Sequence, residues 1–499
     1  MNNRSRRLAV VSNRLPFVFS KGPDGDWQVK RGSGGLVSAL LPILRHRGGT
    51  WIGWTGTAEE PDVLAETIAK TSAHAGYNLR PVHLSAEEAH NFYQGFSNEV
   101  IWPLFHDLHS LCNFDPAYWS TYCEVNRKFA QTVIDNTGDE DFIWVHDYHL
   151  INVAEELRKC GRTSKVGFFL HIPFPPLDLF AKLPWRGEII RALLQFDLVG
   201  FQTWRDRRNF LQCLRALVSD VQVEGKGQIV DIKAGSRQVR IGAFPISIDF
   251  KAFAKQAAQA PVVAKAKELH ALLPNRRLVL GIDRLDYTKG IPQRIHAFHN
   301  LLTRYPQMQG KVSLIQVVVP SRVGIPKYDE LKTTIEQLVG KVNGEFMRPG
   351  GWVPVWYFFG DLTRTELLAY YRAADIALIT PLKDGMNLVA KEYCASNVDA
   401  NGVLILSEFA GSAAQLRRGA LLVNPHDIEG VANAILQAYE TDSKERQRRM
   451  RYLRRSIRDA DVFWWLDSFM RAAFTKDLND FPLPDDYAPE SEDHYFGPD

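Results

Sequence analysis

The chain has 499 residues, 45% hydrophobic and 23% charged, which is enough for two or three globular domains. A net charge of +3 excludes nucleic-acid binding driven by bulk charge but leaves room for local basic pockets that hold phosphate. Five cysteines (Cys112, Cys123, Cys160, Cys213 and Cys394) include no C-x-x-C pair, so neither a disulfide framework nor a zinc site is expected, and a reducing cytoplasm fits. The N-terminus has no long apolar core, and no stretch approaches about 18 apolar residues, so neither secretion nor a membrane span is expected.

Apolar strands alternate with amphipathic helices along most of the chain, the order of α/β domains with mainly parallel sheets. Residues 8–12 read as a strand. Residues 16–31 read as a Gly- and Lys-containing loop, mobile over a site. A helix is expected over 36–44 after the glycine-rich G-S-G-G, strands at 142–145 and 166–170, and a helix at 152–158 between them. A strand at 198–201 and a helix to about 218 follow. A second series places strands at 278–282, 312–319, 355–359, 375–380 and 403–407, with a helix at 363–374. The boundary falls in A-F-P-I-S-I-D-F at 243–250, giving domains 1–245 and 246–460. A helix over 461–478, with Phe463, Trp464, Leu466, Phe469 and Met470, is expected to complete the first domain, and the acidic stretch 479–499 to be a disordered tail.

The most informative stretch is P-L-K-D-G-M-N-L-V-A-K-E-Y, from Pro381 to Tyr393. It follows the apolar strand, turns at Asp384 and Gly385, and takes helix periodicity from Met386. A helix start offers unpaired amides, which suit an anion. Glu392 lies two turns in, where a carboxylate gains nothing from the helix N-terminus, so it is a candidate acceptor for ligand hydroxyls. Together these features suit a sugar joined to a phosphate.

In parallel α/β sheets, ligands bind beyond the carboxyl ends of strands. Asn13 and Arg14, His146 and Asp147, His171, Arg284 and Lys289, Ser321 and Arg322, and Asp384 all fall there. Their recurrence in both halves places cations and carboxylates toward a cleft between two sheets. Arg284 and Lys289, five residues apart, suit a diphosphate, or an ion pair with Asp283 or Asp286. Gly34 and Gly35 suit close backbone approach to a phosphate or sugar, or a flexible turn. No G-x-x-x-x-G-K-[ST], G-x-S-x-G or H-E-x-x-H occurs. His146 and His149 read as packing or orienting groups rather than metal ligands. The basic run from Glu445 to Arg458 reads as a solvated helix face.

At this level of detail the chain resembles retaining glycosyltransferases of the trehalose-6-phosphate synthase type, glycosyltransferase family 20. The likeness covers nearly all of residues 8–474. Its blocks are V-V-S-N-R-L-P, W-I-G-W-T-G at Trp51, F-S-N-E-V-I-W-P-L-F-H at Phe96, H-D-Y-H-L at His146, F-F-L-H-I-P-F-P at Phe168, D-L-V-G-F-Q-T at Asp197, R-L-D-Y-T-K-G at Arg284, D-G-M-N-L-V-A-K-E-Y at Asp384 and L-S-E-F-A-G at Leu406. The resemblance implies a GT-B fold, two Rossmann-like domains facing a central cleft. It implies transfer of glucose from a nucleoside diphosphate glucose, UDP-glucose first among them, to glucose 6-phosphate, with retention and without a protein nucleophile.

Carried over by motif, Gly34, Gly35, Arg284, Lys289, His171, Leu362, Asp384, Glu392 and the amides of Leu388, Val389, Ala390 and Lys391 would bind the donor. Arg14, Tyr93, Trp102, Asp147 and Arg322 would bind the acceptor. Arg284, Lys289, His171 and Asp147 would be the catalytic set. No metal or other cofactor, no nucleic acid and no membrane is implied, and a homo-oligomer, dimer or tetramer, is expected. Family members often carry Arg where this chain has Lys383, and the F-F-G-D-L segment at 358–362 departs from bacterial members, so the donor base stays open. A related transferase using glycerol 3-phosphate and an inactive sugar-phosphate sensor are the alternatives.

Overall fold

The computed structural model describes residues 7–475 apart from 23, 25, 33–35, 38–39, 42–43, 45–47, 60, 226, 323–324 and 348–350. Gly34, Gly35, four of the nine residues of the expected 36–44 helix (38, 39, 42 and 43) and the 479–499 tail lie outside the described residues, and the described residues 36, 37, 40, 41 and 44 are helical. The chain divides into two units. One runs through Ile246 and takes back the chain from Phe463, and the other spans Ser247–Val462.

The strands of the first unit are β1 (Leu8–Arg14), β2 (Phe17–Lys21), β3 (Trp27–Arg31), β4 (Thr50–Trp54), β5 (Asn78–Val82), β6 (Phe142–His146), β7 (Val166–Phe169), β8 (Leu198–Phe201), β9 (Val221–Glu224), β10 (Ile229–Ala234) and β11 (Arg237–Ala243). Among the described residues its main sheet has nine strands in the order β5-β4-β1-β6-β7-β8-β11-β10-β9. Every pair from β5 to β11 is parallel, and only β10 and β9 run antiparallel to their neighbours. The strands are short apolar runs such as L-A-V-V and F-I-W-V because both faces are covered.

The 16–31 segment is not a loop. It forms a separate antiparallel hairpin, β2 with β3, in register from Phe17↔Arg31 to Lys21↔Trp27. The alternation in F-V-F-S-K and W-Q-V-K-R fits a strand, with Phe19 buried and Val18 exposed. The reversal is closed by Gly22 N donating to Asp26 O at 2.8 Å.

The last described helix, Val462–Phe474, lies against the first sheet. Phe469 stacks on Trp144 with ring centroids 4.4 Å apart and meets Phe244 edge-on at 5.2 Å. Glycines make room for it: a Cβ at Gly200 would come within 2.8 Å of the Phe469 ring, and one at Gly167 within 3.0 Å. Its final carbonyls are held by Arg240 Nη1 on Ala472 O at 2.6 Å and Lys165 Nζ on Ala473 O at 2.6 Å.

The second unit has β12 (Arg277–Arg284), β13 (Val312–Val319), β14 (Val355–Phe359), β15 (Ile376–Ile379), β16 (Val403–Ser407) and β17 (Leu421–Val423), all parallel, in the order β14-β13-β12-β15-β16-β17. Alternate residues of β12 enter two cores: Leu278, Leu280 and Ile282 face Phe253, Tyr371 and Tyr393, while Val279 faces Phe298, Leu301 and Ile435. Helix Arg364–Ala373 opens with a capping box between Thr363 and Glu366. The basic helix Ser443–Asp459 is less solvated than its sequence implies. Met450, Leu453 and Ile457 are buried, and Arg454 Nη1 donates to the carbonyls of Cys394 at 2.9 Å and Ala395 at 2.5 Å, capping the helix Leu388–Ser396.

Candidate active site

Both sheets use the same winding. In chain order, leaving out the β2–β3 hairpin, the first unit's six leading parallel strands and the second unit's six strands each follow a 3-2-1-4-5-6 order. The order reverses between β1 and β6, and again between β12 and β15. Crevices open beyond the carboxyl ends of strands at such switch points. The polar residues singled out by sequence cluster there.

In the first unit Arg14 ends β1 and Asp147 follows β6. The Arg14 guanidinium lies 3.9 Å from the centroid of Trp54 and 5.2 Å from that of Tyr93. Burial lowers its pKa, and Tyr93 opposes that shift. Gly56 permits this pose: its φ is +96°, and a Cβ there would run into Arg14 Nη1. Tyr93 sits on a π-type helix, Ala89–Ile101, and stacks on His149 with centroids 5.9 Å apart. Trp102 is buried against His106, centroids 4.2 Å apart. Asp147 adopts a left-handed φ of 75°, and its Oδ1 accepts from His171 N at 3.2 Å. His171 is hydrogen-bonded to the fully buried His146, Nδ1 of His146 to Nε2 of His171, at 3.1 Å. Burial holds both imidazoles neutral, pulling the pKa of His171 down to about 3 and that of His146 well below its ordinary value.

In the second unit Arg284 closes β12 with an exposed side chain that makes no hydrogen bond or ion pair with a described residue. Lys289 follows in a tight turn, Tyr287–Lys289, ended by Gly290 at φ 64°. A Cβ on Gly290 would sit 2.5 Å from Thr380 O, so this turn requires glycine. Lys289 Nζ pairs with Asp384 Oδ2 at 2.6 Å. It does not pair with Asp283 or Asp286: Asp283 is taken by the buried Arg294 at 2.7 Å, and Asp286 faces Arg322 at 3.6 Å. The Arg322 side chain is therefore turned inward, also hydrogen-bonded to the Tyr328 hydroxyl, with a left-handed φ of 51°.

The helix expected from Met386 begins at Leu388, because Asn387 adopts φ 68° and caps it, its side chain accepting from Ala390 N at 3.2 Å. That uses the Ala390 amide, and Lys391 N is the first that the helix itself can bond. Of the four amides singled out, those of Leu388 and Val389 are the ones the helix and its cap leave over. The Lys391 side chain is buried, which draws its pKa down to about 7. Glu392 is partly exposed in the second turn, and its Oε2 accepts from Tyr371 OH at 2.9 Å. Burial raises the Glu392 pKa. Leu362 packs against the core beneath this helix.

Residues that sequence reasoning passed over complete the picture. Trp54 and Gly56 frame Arg14, and both lie in the W-I-G-W-T-G block. Tyr371 orients Glu392 from a helix that carries no motif. Among the described residues no three His, Cys, Asp or Glu side chains converge as metal ligands. No described helix is long and apolar enough to cross a membrane.

Two Rossmann-like units, each with at least one cation and a carboxylate at its switch point, are the architecture of glycosyltransferases of the GT-B class. The glycosyltransferase family 20 model matches residues 6–474, and the chain belongs to that family. It is an enzyme of the trehalose-6-phosphate synthase type. The trehalose-6-phosphate synthase of Mycolicibacterium gilvum is 44% identical over 478 residues, covering 94% of each chain. That of Mycolicibacterium smegmatis is 42% identical over 491 residues, covering 97% of this chain and 96% of the relative. A UDP-forming α,α-trehalose-phosphate synthase from Burkholderia xenovorans, solved with glucose 6-phosphate, superposes with a TM-score of 0.84 at 34% identity, over 94% of this chain and all of the other. An E. coli structure bound with UDP-2-fluoro glucose gives 0.84 at 36% identity, over 94% and 99%.

Proposed function

We propose that this enzyme moves glucose from UDP-glucose to glucose 6-phosphate, giving α,α-trehalose 6-phosphate and UDP with the anomeric configuration retained. The carrying observation is the second unit's switch point, where a free Arg284 and the Lys289–Asp384 pair flank a helix with unused amides. Relatives solved with glucose 6-phosphate and with a fluorinated UDP-glucose support the choice of substrates.

In this reading Arg284 and Lys289 hold the donor diphosphate, and the amides of Leu388 and Val389 add to the field at the phosphate. Gly34 and Gly35 approach the donor, Leu362 meets the nucleoside, and Glu392 accepts from the ribose hydroxyls. Asp384 and His171 bind the transferred glucose. Arg14 and Arg322 hold the acceptor phosphate, with Tyr93, Trp102 and Asp147 around the acceptor sugar. Arg322 leaves its contacts with Asp286 and Tyr328 to do so.

As the bond from the anomeric carbon to the diphosphate oxygen lengthens, negative charge grows on the leaving group, and the two cations stabilise it. The acceptor hydroxyl attacks from the same face, and its proton passes to the departing phosphate oxygen. The new bond keeps the original configuration, and no protein carboxylate is needed as nucleophile. The cations perform the charge neutralisation for which other transferases use a metal. A cytoplasmic location suits five cysteines that are all free thiols.

The test is purified enzyme with UDP-, ADP- and GDP-glucose against glucose 6-phosphate and glycerol 3-phosphate, scoring nucleotide release and product mass. A disaccharide phosphate formed from glucose 6-phosphate is expected. Product with glycerol 3-phosphate alone would overturn the acceptor, and tight binding without turnover would point to a sensor. Arg284→Ala is expected to abolish turnover while the fold is kept. Near-normal turnover would overturn the donor site.

A further inference from the structure

Beneath the first unit's switch point two histidines share one hydrogen bond, His146 Nδ1 to His171 Nε2 at 3.1 Å. Both rings are neutral, so each carries one proton, and one proton lies between them. Which ring supplies it decides what His171 presents outward.

The other nitrogen of His146 settles the matter. Its Nε2 is buried and has no hydrogen-bond partner among the described residues. The rings in contact with His146 are Trp144, at 4.6 Å between centroids, and His171, at 5.4 Å. An indole N–H only donates, so Trp144 has nothing to accept a proton from Nε2. A protonated Nε2 would be a stranded buried donor, and orphaned buried donors are rarer in folded proteins than under-satisfied acceptors. The His146 proton therefore sits on Nδ1, and His146 is the donor in the shared bond. His171 Nε2 is then the acceptor, and the single proton of His171 is on Nδ1. His171 is partly exposed, and its Nδ1 makes no hydrogen bond with a described residue.

We infer that His146 is a positioning residue that fixes His171 in the Nδ1–H tautomer, so that His171 acts as a hydrogen-bond donor to an oxygen of the transferred sugar and not as a base. The inference rests on the proposed glucosyl transfer for the identity of the sugar, but the tautomer does not depend on it. Three further features agree. The ring of His171 is fixed by His146 on one side and by Phe169 on another, centroids 4.8 Å apart. Its backbone is tied at both ends, its N–H to Asp147 and its carbonyl to Gln202 Nε2 at 3.5 Å. Burial keeps the ring neutral, so a fixed N–H, rather than a charge, is what it offers.

The test pairs a spectrum with kinetics. In full-length enzyme labelled with 15N-histidine, the His171 resonances, assigned by their loss in His171→Gln, are expected to report Nδ1–H and bare Nε2. The opposite tautomer, or a rapidly averaged pair, would overturn the inference whatever reaction the enzyme runs. His146→Asn keeps a donor near the Nδ1 position and is expected to stay within about threefold of wild type. His146→Leu removes it and is expected to lower kcat about tenfold, the effect of one lost sugar hydrogen bond, with KM for glucose 6-phosphate unchanged. Should His146→Leu fail to fold, the Asn variant and the wild-type spectrum still decide. Equal losses in the Asn and Leu variants would mean that His146 only fills space. A wild type inactive with UDP-glucose and glucose 6-phosphate would count against the proposed function, leaving the spectrum to judge the tautomer.

Discussion

Lys289 Nζ and Asp384 Oδ2 meet at 2.6 Å across 95 residues of sequence, joining the chain just after β12 to the chain just after β15. Both side chains are largely buried, at 12% and 14% exposure, and the carboxylate also accepts from Asn387 Nδ2 at 3.1 Å. The pair therefore bridges the switch point and fixes the turn that delivers the helix Leu388–Ser396. A carboxylate so placed neutralises Lys289, and on the donor binding proposed above a diphosphate would take over that role.

The consequence is a split between binding and turnover. Asp384→Asn keeps the shape and the Asn387 contact region but removes the charge. UDP binding, read by calorimetry, is expected to hold or tighten because Lys289 is released. The kcat is expected to fall about a hundredfold or more as the transferred sugar loses its acceptor. A variant with weakened UDP binding and near-normal kcat would reverse the assignment of both residues.

Arg14 and Gly56 give a second case. With φ at +96° and Arg14 Nη1 against the place where a side chain would begin, Gly56→Ala must displace the guanidinium from Trp54 or strain the backbone. KM for glucose 6-phosphate is expected to rise about tenfold, the size of one charge-assisted hydrogen bond, while KM for UDP-glucose stays within about twofold. A rise shared equally by both substrates would mean that the substitution disturbs the unit as a whole.

These two cases differ in how far sequence foretells them. The parallel strands were legible because buried β residues form short unbroken apolar runs, as in I-A-L-I and L-V-G-F. Residues at strand ends were legible because parallel sheets put ligands there. The hairpin Phe17–Arg31 was not, since its Gly and Lys residues look like loop composition while its alternation spans only five residues a side. The strands at Thr50–Trp54 and Asn78–Val82 are not legible because a glycine in the first and an arginine and a proline in the second interrupt the apolar run. Partners were least legible of all. Lys289 has Asp283 and Asp286 close in sequence, but it meets Asp384, because β12 and β15 are neighbours in space. The start of the helix at Leu388 depended on the left-handed φ of Asn387, which residue identity alone does not announce.

Tyr371 supports Glu392 from a separate helix, donating its hydroxyl proton at 2.9 Å. Tyr371→Phe removes one hydrogen bond and leaves the ring packing. KM for the nucleotide sugar is expected to rise about three- to tenfold with kcat little changed, the signature of a group that orients a binding residue. The same change in a Glu392→Gln background is expected to do much less, because the two act as one unit. Additive effects would mean that Tyr371 works through something other than Glu392.

The last prediction concerns pH and stability. Glu366 closes the capping box of helix Arg364–Ala373 and pairs with Lys265 at 2.9 Å, and these contacts draw its pKa down from 4.5 to about 2, the Lys265 hydrogen bond contributing most. A carboxylate with a depressed pKa in the folded state adds stability that is fully present above its unfolded value. That stability is lost as pH falls toward the folded value. Glu366→Gln is expected to lower Tm at pH 7 by a few degrees at most, since the pair is partly solvated. The gap from wild type is expected to stay level down to about pH 4.5 and to narrow below it, as wild-type Glu366 protonates. A gap that instead widens with acid would require a raised pKa in the folded state. That would be incompatible with Glu366 accepting hydrogen bonds from Lys265 and Thr363.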